Sequence, residues 1–452
     1  HMAKPEEFDR VQVNINFADE SASHLPPGES RVLNIVGTNL ERFPSIPDTS
    51  FNEKPYNPKF QLDYIGSTGV GVGSSQFGTY ASGGITALWS DVLSRHQLIT
   101  NLQVQGEIYD IGGYVSYLNQ ESQLYWGGAL SHIPYTYSYY GFNPYDSLET
   151  NQGSIPVSNL IIEQFRIFHD QFALFGQYPL SKKLRFEAGA TMSRYSYMIQ
   201  RYNNYYYGSL LIDRNKRRMR DMEPDPFYVG NAYLAYVGDN TTFGITGPLD
   251  GFRHRFEVSK MFADYNLYST IFDYRKYYYQ NPLSFGVRLI NYARYGPDAN
   301  TLYPLYVGDH YYVRGYSYNS YDQNQGYGSY YANLNTMVGS KMGVINAEVR
   351  LPLSGPERLT MIQSKYFFTT LVGFIDGGFA TTNYKNIKWD WKPDFNWESN
   401  NNDNISTPIF STGLALRFNL FGYAVLEPYA AIPFQRDDKD FVFGLFIRGS
   451  GW

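Results

Sequence analysis

Apolar and polar side chains alternate at a period of two residues along most of this chain, from about residue 57 to its end. In LSFGVRLINY, residues 283–292, the odd positions as far as Leu289 are apolar, and serine, glycine and arginine stand between them. The same period runs through KLRFEAGATMSRY (183–195) and DFVFGLFIRG (440–449). Because successive side chains of a strand point to opposite faces, this period predicts β-strands with one apolar and one polar face.

Two classes of protein show such alternation: soluble all-β proteins with one wet face, and transmembrane barrels. The chain has no run of about 18 apolar residues, so a membrane-spanning helix is not predicted. A membrane is still possible, because a spanning strand needs only about 10 residues, of which alternate ones are apolar. Aromatic residues make up 18% of the 452 residues, and the aromatic girdles of a barrel would use such an excess.

The connections between the predicted strands alternate between short and long, which favours the barrel. Tight connections fall at 121–122, 178–182, 280–282 and 419–422, and long ones at 131–157, 196–227, 296–340 and 378–407. Short periplasmic turns and long extracellular loops give this rhythm in bacterial outer-membrane barrels. The connection at 239–252 is too long for a periplasmic turn and runs against it. We predict an all-β fold, a transmembrane antiparallel β-barrel of about 16 strands over residues 57–452.

Residues 1–56 differ from the rest and contain proline clusters in HLPPGE and FPSIPDTSFNEKPYNP. The segment is too short to bury a substantial core, so we expect a periplasmic N-terminal extension rather than a second globular domain. The opening HMAKPEEFDR resembles a cloning junction, which leaves room for a removed export signal or upstream domain.

The sequence gives no support for an enzyme. Cysteine is absent, which excludes disulfides, thiol nucleophiles and cysteine metal sites. The 7 histidines form no HExxH spacing, and no GxSxG elbow is present. A membrane hydrolase would need a Ser–His pair, and the sequence suggests none. We predict no catalytic residue, cofactor or metal, and the net charge of −5 gives no reason to expect a nucleic-acid partner.

A short motif, Val313-Arg314-Gly315-Tyr316, lies in the long connection 296–340. It is followed by GVINAEVRLPL (343–353) and FFTTLVGFIDGGFA (367–380), and the chain ends in FIRGSGW (446–452). Together these segments resemble the BamA superfamily of bacterial surface-antigen barrels, most strongly over about 296–452. GGITALWSDVLSRHQL (83–98) is similar to barrels that follow TolB-like propellers in larger envelope proteins.

The resemblance implies a Gram-negative outer-membrane barrel that inserts or translocates proteins. In that family the sixth extracellular loop folds into the lumen and carries a VRG-aromatic motif. An acidic residue on the next strand corresponds to Glu348, and a Phe-x-Asp-x-Gly motif corresponds to Phe374-Ile375-Asp376-Gly377-Gly378. Members usually carry POTRA repeats before the barrel. Residues 1–56 are too short for one, so delivery of substrate by POTRA repeats is not expected from this segment.

The residues themselves give a reason for this arrangement. An arginine inside a barrel needs anions, because an unpaired buried charge is costly. The period of two places Glu348 and Asp376 on the same face of two neighbouring predicted strands, where a planar guanidinium can bridge both carboxylates. Gly315 allows the backbone to approach the wall closely. We therefore predict a latch for the loop; whether it only stiffens the loop or also gates the barrel stays open. The latch comprises Val313, Arg314, Gly315, Tyr316, Glu348 and Asp376.

A lateral seam is predicted where the first strand meets the last, because a barrel closes by pairing these two. A weak seam would expose strand edges that template an incoming strand, and glycines in the last strand would weaken its packing. We predict a BamA-type insertase or translocase with outer-membrane lipid and protein substrates or accessory envelope proteins as partners. The alternative is a passive channel, or a membrane anchor for a missing periplasmic domain or partner complex. The seam residues are Lys59, Phe60, Leu62, Tyr64, Phe441, Gly444, Phe446, Arg448 and Gly449.

Overall fold

The computed structural model describes most of the chain after residue 55. The described residues are 56–67, 71–75, 78–104, 108–151, 153–317, 337–356, 360–364, 367–389, 406–436 and 440–448. The chain divides into two units, His1–Asn57 and Pro58–Trp452. The predicted N-terminal extension lies outside the described residues except for Tyr56, so its role stays a prediction.

Nearly all of the second unit is β-structure. Short 3-10 turns occur at Ile108–Asp110, Arg220–Met222 and Tyr384–Asn386, and no α-helix occurs among the described residues. No helix in this part of the chain is long and apolar enough to cross a membrane. The strands are β1 (Gln61–Ser67), β2 (Gly71–Ser75), β3 (Gly78–Ser90), β4 (His96–Val104), β5 (Ile111–Asn119), β6 (Tyr125–Thr150), β7 (Gly153–Pro179), β8 (Leu184–Tyr207), β9 (Leu210–Arg218), β10 (Phe227–Asp239), β11 (Thr242–Phe243), β12 (Pro248–Ala263), β13 (Leu267–Gln280), β14 (Leu283–Tyr295), β15 (Leu305–Tyr306), β16 (Val338–Gly339), β17 (Lys341–Gly355), β18 (Ile362–Gln363), β19 (Phe368–Thr381), β20 (Ile409–Leu420), β21 (Ala424–Pro433) and β22 (Val442–Arg448).

The long strands pair with their neighbours in the sequence, as in an antiparallel meander. The ladders run in the order β1, β3, β4, β5, β6, β7, β8, β10, β12, β13, β14, β17, β19, β20, β21 and β22. Among the described residues no ladder joins β1 to β22. An all-β antiparallel sheet is therefore confirmed, whereas closure into a barrel and the strand count of 16 stay predictions.

In the C-terminal strands, the charged face is buried and the apolar face is exposed, which is the reverse of a soluble protein. We call the face that carries Glu348 and Asp376 the inner face; these carboxylates are 3% and 1% exposed. On the outer face, Ile345, Val349 and Ile375 are between 44% and 60% exposed. Burial alternates residue by residue from Val344 to Leu353 of β17 and from Thr370 to Asp376 of β19, as the period of two predicted. Charge is buried and apolar surface is exposed, which is the pattern of a barrel wall in lipid.

The strands β6, β7 and β8 are much longer than a membrane crossing requires. They have 26, 27 and 24 residues, against about 10 for a spanning strand. The predicted loops at 131–157 and 196–227 are therefore wrong over most of their length, because β6 reaches Thr150 and β8 with β9 forms a further hairpin. These segments are rich in tyrosine, phenylalanine and isoleucine, which favour strands even where no membrane surrounds them.

A buried ion pair ties this extended region to the 3-10 turn before β5. Arg166 on β7 donates from Nε to Oδ1 of Asp110 at 2.7 Å and from Nη2 to Oδ2 at 3.1 Å. Thr136 Oγ1 also donates to Oδ1 of Asp110, at 2.9 Å. Arg166 is 0% exposed and Asp110 is 1% exposed, so the two opposite charges are buried together.

We expect Arg166→Met to lower the free energy of unfolding by about 3–5 kcal/mol, because it removes a paired cation from the buried carboxylate of Asp110. The control is Glu163→Gln, which removes a partly exposed pair on the same sheet with an Arg201 Nε–Glu163 Oε1 distance of 2.7 Å. That change is expected to cost about 0–1 kcal/mol. Urea unfolding in detergent micelles measures both, and equal losses would contradict the assignment.

Candidate functional site

The connection after β14 folds back onto the inner face of the sheet. Its base is the small ladder between β15 and β16. Val307 and Val313 are 0% exposed and Tyr316 is 1% exposed, and they pack in one cluster with Met342 and Val344 of β17. Apolar burial therefore holds the part of the loop that carries the Val313-Arg314-Gly315-Tyr316 motif.

Arg314 is held most tightly by Asp376 on β19. Its Nε lies 2.7 Å from Oδ2 and its Nη2 lies 2.8 Å from Oδ1. The backbone amide of Arg314 also donates to Oδ2 at 3.2 Å. This paired geometry uses the planar guanidinium, and a lysine ammonium could not reproduce both parallel bonds.

Two further carboxylates contact the same guanidinium from other strands. Nη1 of Arg314 lies 2.9 Å from Oε1 of Glu348 on β17 and 3.2 Å from Oε1 of Glu427 on β21. The guanidinium carbon stands 3.6 Å from the ring centre of Phe374, a distance that suits a cation–π contact. One side chain of the loop thereby connects three strands.

Two arginines on strands of the sheet also bind these carboxylates, so the site is a network of six charged groups. Arg417 on β20 donates from Nε to Glu427 at 2.6 Å and from Nη2 to Glu348 at 2.8 Å. Arg350 on β17 donates from Nε to Glu348 at 2.8 Å. Three arginines face three carboxylates, and every side chain is at most 4% exposed.

Gly315 and Tyr316 allow the motif to pack closely against the inner face of the sheet. Gly315 has φ +93°, and a Cβ there would stand 3.1 Å from Cβ of Ala431, so glycine suits both the conformation and the close approach. The Tyr316 hydroxyl accepts from the backbone amide of Gln435 at 3.1 Å and lies 3.2 Å from the carbonyl oxygen of Phe410. Arg436 donates to the carbonyl oxygen of Gly315 at 3.0 Å.

The connection 239–252 also contacts the inner face, which gives a reason for its length. Its carbonyl groups accept from wall side chains: Pro248 from Arg350 Nη1 at 2.8 Å, and Ile245 from Asn419 Nδ2 at 2.5 Å. Thr246 and Thr370 are joined by their hydroxyls at 2.8 Å. Arg350 therefore links this connection to the network that holds Arg314.

The predicted seam residues lie at the two ends of the ladder order. Lys59 and Phe60 precede β1, which begins at Gln61, three residues after Pro58. Leu62 and Tyr64 lie in β1, Phe441 precedes β22, and Gly444, Phe446 and Arg448 lie in β22. Gly449 lies outside the described residues.

The predicted weakness of packing in the last strand stays a prediction. At Gly444, the ring of Tyr429 on the neighbouring strand covers the glycine. A Cβ on Gly444 would stand 2.2 Å from Cζ of that ring. Glycine here makes room for an aromatic side chain across the ladder.

The structure brings all the predicted latch residues together and adds others that sequence reasoning missed. Glu427 and Arg417 were not identified, although each is a single charge in a strand of apolar neighbours, within AVLEPYAAIP and LALRFNL. Asn346 was not identified either; it donates to Asp376 Oδ1 at 2.9 Å and to the carbonyl oxygen of Tyr312 at 2.7 Å.

No family model matches this chain, and no curated protein matches its sequence. Similar solved structures include CdiB from Acinetobacter baumannii, at 12% identity and TM-score 0.43, covering 86% of this chain and 60% of that one. BamA from Haemophilus ducreyi lacking POTRA domains 1–3 is 12% identical at a TM-score of 0.43, covering 86% of this chain and 71% of that one. CdiB from Escherichia coli is 9% identical at a TM-score of 0.41, covering 88% of this chain and 63% of that one. The chain therefore spans less than two thirds of either CdiB. These similarities are too low to establish the family.

We expect Arg314→Ala to destabilise the folded chain by about 3–5 kcal/mol, because it leaves two buried arginines facing three buried carboxylates. Arg314→Lys keeps the charge but loses the paired bonds to Asp376, so its effect should fall between alanine and wild type. The control is Arg294→Ala on β14, which removes a bond to the carbonyl of Tyr303. The measurement is the temperature at which the folded band on a gel disappears. An unchanged temperature for Arg314→Ala would contradict the arrangement.

Proposed function

We propose that this chain is a transmembrane β-barrel of the Gram-negative outer membrane that inserts or translocates proteins in the manner of the BamA superfamily. The observation that carries the proposal is the position of Arg314, which reaches from a loop to carboxylates on three strands of the inner face. The VRG-aromatic motif of that superfamily implies such a loop, folded into the lumen.

The membrane part of the proposal is supported by the distribution of charge between the two faces. Burying six charged groups while exposing isoleucine and valine would be unfavourable for a sheet in water. It is favourable when lipid surrounds the apolar face and the sheet encloses the charged one. Closing the sheet between β1 and β22 would give such an enclosure.

The loop also contacts the last strand, and this supports a link between latch and seam. The His310 ring stands edge-on to Phe446 of β22, with 4.9 Å between ring centres, and Tyr311 lies 6.5 Å from the same ring. β22 pairs with β21, and its other edge has no ladder among the described residues. We infer that the loop steadies β22 through these ring contacts and that release of the loop would let β22 move away from the sheet.

A free strand edge is enough to perform the proposed function. Its unpaired amide and carbonyl groups bind an incoming extended segment through the main chain, so substrates of different sequence can be accepted. The proposal assigns no catalytic residue, cofactor or metal. In the described part of the chain, no group of three or more His, Cys, Asp or Glu residues is placed to hold a metal ion.

A disulfide across the seam should stop insertion. Because the chain has no native cysteine, cysteines at Leu62 or Tyr64 of β1 can be combined with one at Leu445 or Ile447 of β22 without background. The assay measures, in proteoliposomes, the rate at which an unfolded barrel substrate becomes protease-resistant. This rate should fall about ten-fold or more in the oxidised variants. Reductant should restore the rate, because the pairing at the seam can then open.

The matched control is Leu426→Cys with Ile447→Cys, which joins two residues already paired between β21 and β22. Its disulfide should leave the rate unchanged. Full activity of the seam-locked protein would refute the lateral opening. A protein that conducts ions steadily but inserts nothing, locked or reduced, would instead be a passive channel or an anchor.

A further inference from the structure

The outer face carries a groove across β14, β17, β19 and β20. It encloses about 280 Å³ and opens toward the surroundings of the sheet. Its wall is almost wholly apolar, and it lies within the exposed apolar surface of the C-terminal strands. The residues that shape it are Leu289, Gly343, Ile345, Gly377, Phe379 and Phe410.

The groove exists because two glycines stand beside aromatic rings in the ladders. Gly343 pairs with Phe379, and Gly377 pairs with Phe410. Each glycine leaves out one side chain of the outer face, and the neighbouring ring occupies part of that space: a Cβ on Gly343 would stand 2.5 Å from Phe379. The remaining space is a narrow apolar channel beside Ile345.

A positive charge stands at one end of this groove. Lys341 is two residues before Gly343 on the same face of β17, and so about 7 Å away along the strand. Its Nζ donates to the carbonyl oxygen of Thr382 at 2.7 Å and lies 3.4 Å from the hydroxyl of Ser340. An ammonium has three donors, so one remains for an anion.

Aromatic side chains surround the same end. Nζ of Lys341 is 5.3 Å from the ring centre of Tyr295. Tyr384 contacts Phe379 at 6.2 Å between ring centres, and Trp389, which is 75% exposed, contacts Phe410 at 6.2 Å. Tyrosine and tryptophan collect where the headgroups of a bilayer meet its hydrocarbon core. In a membrane-embedded sheet, side chains of this kind place the charged end of the groove at the level of lipid phosphates.

We propose that this groove binds one acyl chain of a membrane lipid whose phosphorylated headgroup contacts Lys341. Complementary charge and chemistry select this occupant, because an apolar channel that ends in an ammonium fits a molecule with an acyl chain below a phosphate. The inference rests on the membrane location in the proposed function, but it requires neither insertion nor translocation.

Native mass spectrometry of the full chain in detergent tests the proposal, with phosphatidylglycerol, diacylglycerol and inorganic phosphate as separate probes. Wild type should retain one phosphatidylglycerol molecule at concentrations where diacylglycerol and inorganic phosphate do not bind. Lys341→Gln should weaken phosphatidylglycerol about 5-fold, since one lysine near a lipid surface contributes about that factor. Lys341→Arg should keep most of the affinity, and Lys385→Gln, an exposed lysine outside the groove, should change nothing.

The acyl part is tested with Ile345→Trp, which fills the groove, against Ile375→Trp, which adds the same bulk on the outer face outside it. Only the first should lose the bound lipid, while both should run as folded bands on a gel. Equal lipid binding by wild type, Lys341→Gln and Ile345→Trp would overturn the proposal, as would a dimer of this chain in place of the lipid. If the wild-type chain binds the lipid but inserts no substrate, the proposed function is refuted and the lipid site is still supported.

Discussion

The rest of the site depends on the pairing of Arg314 with carboxylates that are out of reach of water. Removing such a charge from water costs several kcal/mol, and only a complete set of partners offsets it. Glu348, Asp376 and Glu427 supply that set from β17, β19 and β21, and Arg417 and Arg350 keep it balanced. Loop position, strand register and the inward connection at 239–252 must all be correct at once for six charges to be satisfied.

Much of the fold could be predicted because the alternation of side chains is a local property. The alternation within each strand identifies its apolar and polar faces. Strands that are adjacent in sequence are also adjacent in the sheet of an antiparallel meander. The grouping of Arg314 with Glu348 and Asp376 could be anticipated for the same reason. Both carboxylates lie on the two strands that follow the loop, and their parity places them on one face.

The remainder depended on contacts that no local pattern encodes. Glu427 joins the site only through the ladders from β19 through β20 to β21, whose register a sequence does not display. The connection at 239–252 turns inward because its carbonyl groups meet side chains about 100 or more residues away. The long strands β6 to β8 keep pairing well past the length of a membrane-spanning strand, since tyrosine-rich segments favour strands as readily outside lipid as within it.

The charge balance of the network has a consequence for how the loop could ever leave. When Arg314 is in place, three positive and three negative groups balance. Without Arg314, two arginines face three carboxylates, and Asp376 loses the guanidinium that bound both its oxygens. Without Arg314 the buried network would therefore carry one net negative charge. A net charge among groups that lie out of reach of water is unfavourable, so the charge balance itself opposes release of the loop. Electrostatic balance and apolar burial thus restrain the same short segment of the loop.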